Sequence, residues 1–205
     1  MSEKLYLYPV WLRIWHAINA LMFLVLLVTG VSLQYSNPDY QLIRFDYAVT
    51  YHNIAGIILA FNYLIFLFGN ILTGNAVFYK LRRKGLVDKL LKQMNYYISG
   101  TFKGEHTPFP VTKKRKFNPL QKVAYLATMY MMIPVMIITG VALLFPEMII
   151  MNVMNLSGIY LTALLHGIVS IFLLIFLVIH LYFSTMGSSP TSNFKSIVNG
   201  YHEPH

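Results

Sequence analysis

Residues Ser157–Met186 read S-G-I-Y-L-T-A-L-L-H-G-I-V-S-I-F-L-L-I-F-L-V-I-H-L-Y-F-S-T-M, a run without Asp, Glu, Lys or Arg. Such a run is long enough to cross a hydrocarbon core of about 30 Å as one helix. It nevertheless carries two histidines fourteen residues apart, His166 and His180. At about 100° and 1.5 Å per residue, that spacing returns to within about 40° of the starting face and separates the two rings by roughly 21 Å. Both imidazoles therefore share one stripe at different membrane depths. Ionisable groups are costly in hydrocarbon and mark function there. His16 and His52 lie in two further apolar stretches, so the pattern predicts two axial pairs for haem iron.

The bulk composition agrees. A chain of 205 residues that is 57% hydrophobic and 11% charged, with a mean hydropathy of +0.57, has the make-up of an integral membrane protein. Spanning runs are expected at about 11–33, 49–70, 119–144 and 157–186, giving an all-α, four-helix transmembrane bundle that forms a single cytochrome b-like domain over 1–205. The first run is too long, and too poor in small residues at its end, to read as a cleaved signal peptide. There is no cysteine, which excludes disulfides, iron–sulfur ligation and thioether-attached haem in this chain. Any haem is held by coordination and packing.

Charge gives the orientation. Of sixteen Lys and Arg, eleven fall between the second and third spans, in 71–118: Lys80, Arg82, Arg83, Lys84, Lys89, Lys92, Lys103, Lys113, Lys114, Arg115 and Lys116. The loop after the first span sets Arg44 against Asp39 and Asp46, and the loop after the third has Glu147 and no base. The positive-inside rule places 71–118, and with it both termini, in the cytoplasm. Next to membrane spans this basic loop reads as topology and contact with anionic lipid rather than as a nucleic-acid site.

Within that loop, Ala76–Ser99 mixes apolar and basic residues at helical spacing and is expected to form one amphipathic helix on the membrane surface. Gly100–Asn118 should be loop. Trp11, Arg13 and Trp15 read as interfacial anchors, and Pro134 should bend the third span. Gly30, Gly56, Gly140 and Gly167 provide the clearance that close helices or a flat macrocycle need.

Orientation also sorts the histidines by depth. His16 begins an outward helix and lies toward the cytoplasm, whereas His52 begins an inward helix and lies outside. The last helix runs inward, with His166 outside and His180 inside. Depth then pairs His52 with His166 and His16 with His180. His106, His202 and His205 fall in loops or at the terminus and are expected to be solvated. The eleven methionines read as core filling.

With these positions assembled, the segments R-I-W-H-A-I-N-A-L (Arg13 to Leu21), V-T-G (Val28 to Gly30), Y-H-N-I-A-G (Tyr51 to Gly56), K-F-N-P-L-Q-K (Lys116 to Lys122) and H-L-Y with the later N-G-Y-H-E resemble the di-haem cytochrome b subunits of thiosulfate-reductase type. These are relatives of the formate dehydrogenase gamma subunit and the nickel–iron hydrogenase cytochrome b. The resemblance implies that His16, His52, His166 and His180 are the haem-iron ligands, in the pairs already given by depth. It also implies a menaquinone or other quinone beside the inner haem, against Asn118, with Gln121 and Lys122 next to it. Leu181 departs from the glycine that follows the last-helix ligand in the formate enzyme.

The expected function is membrane electron transfer between the quinone pool and a periplasmic iron–sulfur subunit or multihaem c-type cytochrome, through two b haems in the bacterial inner membrane. The direction of flow is left open. Two rival readings are a histidine-lined proton or metal transporter and a haem-free membrane anchor. The transporter would require carboxylates or broken helices at mid-span, which the sequence does not offer.

Overall fold

The computed structural model describes residues 4–37, 39–81, 83–153 and 155–202. Arg82 and His205 lie outside the described residues. Four helices among the described residues are long and apolar enough to cross a membrane: Val10–Gln34 (α1), Phe45–Leu72 (α2), Pro119–Leu144, and Gly158–Ser184 (α6). The expected spans are thus present, with ends that shift by a few residues. The third is composite. It runs as α4 (Pro119–Ala127), a π-helical turn over Thr128–Met132 and α5 (Ile133–Leu144). Pro134 cannot donate to the carbonyl one turn back and clashes with it in a regular helix, and the wide π turn just before it is a common way of absorbing such a defect.

The expected single surface helix over Ala76–Ser99 is instead a series of short pieces. A 3₁₀ turn covers Asn75–Tyr79, α3 covers Leu86–Asn95, a π turn covers Tyr96–Gly100, and a second 3₁₀ turn covers Thr101–Lys103. The break falls where Gly85 adopts φ +61°, a left-handed conformation that a glycine enters without steric cost and that no helix interior can contain. α3 packs on α4, and its less exposed stripe is half-buried Leu86 and Leu90 with buried Gln93, continued by half-buried Tyr97 in the π turn. Val87, Leu91, Met94 and Ile98 form a second apolar stripe that is exposed, as a helix lying in the membrane interface requires.

Backbone contacts divide the chain into two compact units. One unit comprises the two ends of the chain, up to Arg13 and from Phe176, together with Asn70–Met131; the other comprises Ile14–Gly69 and Met132–Ile175.

In the first unit, β1 (Leu5–Tyr6) pairs antiparallel with β4 (Tyr201–His202), so the two ends of the described chain meet. Gly200 makes this possible. It ends α7 (Ser192–Asn199) at φ +90°, and a Cβ there would lie 2.7 Å from the Tyr6 ring and 2.9 Å from the Tyr8 carbonyl. His202, expected to be solvated, is buried at 7% exposure because this pairing covers it; His106 is exposed. The same unit contains a buried polar chain. Lys116 Nζ donates to Asn75 Oδ1 at 2.7 Å, and Asn75 Nδ2 donates to Asn70 Oδ1 at 2.6 Å. Lys116 also lies 4.2 Å from the Phe78 ring centre, a cation–π contact that supports a desolvated ammonium. Burial nevertheless pulls its pKa down to about 8.

In the second unit, α1 and α2 are joined by a reciprocal pair. Trp15 Nε1 donates to the Asn62 carbonyl at 3.0 Å, and Asn62 Nδ2 donates to the Trp15 carbonyl at 3.1 Å. Both residues are buried, and Phe66 covers the Trp15 ring. The same unit contains the short strands β2 (Asn152–Val153) and β3 (Leu156–Ser157), paired antiparallel ahead of α6.

Candidate functional site

His52 on α2 and His166 on α6 lie opposite each other in the second unit, with ring centres 6.3 Å apart and planes inclined by 65°. Each is held by a threonine from another helix. Thr29 on α1 lies 2.9 Å from His52 Nδ1, and Thr139 on α5 lies 2.8 Å from His166 Nδ1. Both hydroxyls also donate one turn back along their own helices, Thr29 to the Val25 carbonyl and Thr139 to the Val135 carbonyl, each at 2.7 Å.

That is the ordinary length of a made O–H···O bond, so each hydroxyl proton is already committed. The oxygen can then only accept from the ring, which assigns the proton of both imidazoles to Nδ1 and leaves a lone pair on each Nε2. A neutral imidazole with Nδ1–H held by a neighbour is the form that binds a metal through Nε2.

Glycine follows each threonine. A Cβ at Gly30 would sit 3.5 Å from His52 Cε1, and one at Gly140 would sit 3.5 Å from His166 Cε1, ordinary contact for an alanine methyl, with the ring edge in the way of a longer side chain. Gly56 faces Leu26, and a Cβ on Gly167 would meet nothing within 4 Å beyond its own stretch of helix among the described residues. Two imidazoles that share one iron need ring centres about 6 Å apart, from metal–nitrogen bonds of roughly 2 Å and ring-centre-to-nitrogen distances of roughly 1.1 Å. The observed pair meets this requirement. No group of three or more His, Asp or Glu is placed to hold a bare metal ion among the described residues; a two-histidine donor set of this spacing fits axial ligation of a haem.

The family described as "Prokaryotic cytochrome b561" matches residues 7–200. The chain belongs to this family. It is also 36% identical over 201 residues to a protein named as a cytochrome, YdhU of Escherichia coli (strain K12), with 98% of this chain and 76% of that protein aligned. The protein is therefore a haem-bearing cytochrome b, a multi-pass protein of the bacterial inner membrane that transfers electrons within the membrane. It contacts lipid and redox partners in that role.

The other two histidines are found one in each unit. His16 is half-buried on α1, its ring edge-on to Trp15 at 6.4 Å. In the first unit, His180 on α6 stacks on Phe176 at 5.6 Å and meets Tyr125 edge-on at 6.1 Å.

The quinone residues expected from the resemblance lie at the head of α4. Asn118 is its N-cap: Oδ1 accepts from the Gln121 amide at 2.9 Å, while Gln121 Oε1 accepts from the Asn118 amide at 3.1 Å. This capping box, with Pro119 in the first turn, starts the helix. Lys122 Nζ donates to the Lys80 carbonyl at 3.3 Å. Asn118 does more than cap. Its Nδ2 donates to the Tyr97 hydroxyl at 2.7 Å, and Gln93 also hydrogen-bonds that hydroxyl.

Gln93 is 1% exposed and its Oε1 has no hydrogen-bond partner among the described residues, so Nε2 is the atom that reaches Tyr97. The Tyr97 oxygen thus accepts from two amides and keeps its own proton to donate. Burial raises the Tyr97 pKa, against the lowering effect of the two amide bonds, and the phenol is neutral at pH 7. Phe183, three residues after His180, packs on the Tyr97 ring at 4.3 Å.

Two features were not read from the sequence. The tripeptide Thr-Gly-Val occurs twice, at residues 29–31 and 139–141, and that duplication was the available signal for the two threonine–histidine bonds. The Tyr97–Gln93 pair had no comparable signal, because both residues sit in a segment whose charge pattern dominates its reading.

Proposed function

We propose that this cytochrome is the quinone-linked subunit of a respiratory complex, with two b haems in a single domain over 1–205. The outer haem is held by His52 and His166, and the inner haem by His16 and His180. The observation that carries the reading is the His52–His166 pair, at 6.3 Å and with both Nδ1 atoms tied to threonine.

Haem at these positions supplies a one-electron couple whose potential the axial ligands tune. The chain provides orientation, insulation and the quinone contacts. Tyr97 O–H donates to a quinone carbonyl, Gln93 Oε1 accepts from a quinol hydroxyl, and Asn118 holds the Tyr97 oxygen in place while Lys122 lines the membrane edge. Menaquinone is the natural occupant. Electrons leave through the outer haem to a periplasmic iron–sulfur subunit or multihaem c-type cytochrome. The eleven basic residues of 71–118 support a cytoplasmic position for that loop and for both termini.

Two experiments test this arrangement. Stopped-flow reduction by a menaquinol analogue should be slowed in Asn118→Ala while both haems are retained. Unchanged kinetics there, with quinol reactivity abolished by a change near His52, would move the quinone site to the outer side. Because the chain has no cysteine, single-cysteine labelling is free of background. An impermeant thiol reagent should label Ser36→Cys in intact cells and leave Thr112→Cys unlabelled; the opposite pattern would invert the topology.

A further inference from the structure

The two threonines do more for the histidines than fill space, and this rests on the reading of His52 and His166 as one axial pair. We propose that Thr29 and Thr139 are paired positioning residues that fix both outer ligands as the Nδ1–H tautomer and, through the strength of those two hydrogen bonds, set the redox potential of the haem they share.

The two halves are built alike. In each, a buried threonine, 3% exposed at Thr29 and 6% at Thr139, donates its own proton to the carbonyl four residues back and presents its oxygen to a ring on a different helix. In each, the next residue is a glycine at which a Cβ would lie 3.5 Å from the same ring's Cε1. The carbonyl bond holds the hydroxyl in one rotamer, and the glycine keeps the Cε1 edge of the ring clear of a longer side chain. Neither hydroxyl can turn to donate to the ring without giving up a 2.7 Å bond in an apolar span where water does not replace it.

A hydrogen bond at the distal nitrogen raises the basicity of the ligating nitrogen, which favours the ferric state and lowers the potential. Two such bonds act on one iron. The duplicated threonine therefore makes the outer haem the lower-potential partner of what it would be with untethered ligands. Loss of either bond should raise its midpoint, and loss of both should raise it further.

The test is potentiometric titration of the whole protein in detergent or nanodiscs, with each haem resolved, on Thr29→Val, Thr139→Val, the double variant and the two Thr→Ser variants. Valine matches threonine in shape and removes only the hydroxyl. One haem component should move to higher potential in each valine variant and further in the double variant. The other component should stay in place, and serine should restore the original value. Low-temperature electron paramagnetic resonance should show a changed signal for the same low-spin haem alone.

A valine variant that instead retains haem roughly 10- to 100-fold less tightly, the usual cost of losing such a partner, with retention recovered by serine, supports the proposal equally. Loss of haem in valine and serine variants alike would show packing to be the threonines' only role and overturn it. So would valine variants with both haems bound and both midpoints unchanged. If the unmodified protein lacked a second bis-histidine component, the axial-pair reading itself would fail, a result visible before any variant is made.

Discussion

The surroundings of His52 and His166 and the head of α4 solve the same problem, holding a polar group at a fixed place in an apolar chain, by opposite means. Around the histidines the bonds that reach the rings are long-range: Thr29 and His52 are 23 residues apart, and Thr139 and His166 are 27 apart. At α4 the capping box spans three residues, while the bonds of Asn118 to Tyr97 and of Lys122 to the Lys80 carbonyl are distant. The first arrangement depends on four helices being in register and is exposed to any change in packing. The second forms wherever the local sequence forms a helix, and it can take on a ligand contact without losing its structural role. The cap should therefore tolerate substitutions that separate its two duties, whereas the histidine pair should fail as a whole.

The sharpest way to break this contrast is His166→Ala. Removing one axial ligand should take the haem count per chain from two to one, with the remaining haem still reducible by quinol and transfer to the partner lost. His180→Ala should also remove one haem, but the survivor should no longer be reduced by quinol. If both variants lose the same spectral component, the pairing by depth is wrong.

Next in size is the separation of duties at Asn118. Alanine removes the cap and the Tyr97 contact together, and each is worth about 1 kcal/mol or somewhat more. Serine is also a strong N-cap residue but is too short to repeat the Asn118–Tyr97 bond. Asn118→Ser should keep most of the thermal stability while matching alanine in weakened quinol or inhibitor binding. Equal stability loss in both variants, with quinone affinity untouched, would reduce Asn118 to a cap.

A smaller effect is expected from Lys116, and its sign follows from its environment. Burial brings its pKa to about 8, against an ordinary value of 10.5. Between those two values the unfolded chain binds more protons than the folded one, so stability should rise as pH increases from about 8 toward 10.5. Below pH 8 the residue is protonated in both states and adds no slope. Lys116→Met should flatten the rise between pH 8 and 10.5, measured by thermal unfolding across that range; an unchanged slope would mean that Asn75 and Phe78 hold the ammonium charged throughout. The smallest change is Trp15→Phe, which deletes the bond to the Asn62 carbonyl and should cost about 1 kcal/mol without altering haem content.

The legibility of the molecule follows the same division between local and long-range. Four spans could be read because an apolar run longer than about eighteen residues has few alternatives, and the capping box of Asn118 and Gln121 is local because its partners are neighbours. The break at Gly85 was hidden by a basic–apolar alternation that continues across it, since the pattern records which residues suit a surface helix and not where the backbone turns. His202 read as solvated because a terminal histidine gives no hint that Leu5 will pair with it across the whole chain. The threonine–histidine bonds were illegible for the same reason: nothing within a span says which neighbouring helix will face it, although the repeated Thr-Gly-Val marks the two places where the answer is alike.

The central claim, two histidine pairs and hence two non-covalent b haems in one chain, is tested most directly by pyridine haemochrome analysis of the purified protein, with protein measured by amino-acid analysis and haem extracted into acid acetone. The account predicts two haems per chain, all extractable and all of b type. One haem per chain would leave the pair of His16 and His180 without a role, and none would remove the basis for the His52–His166 site as well.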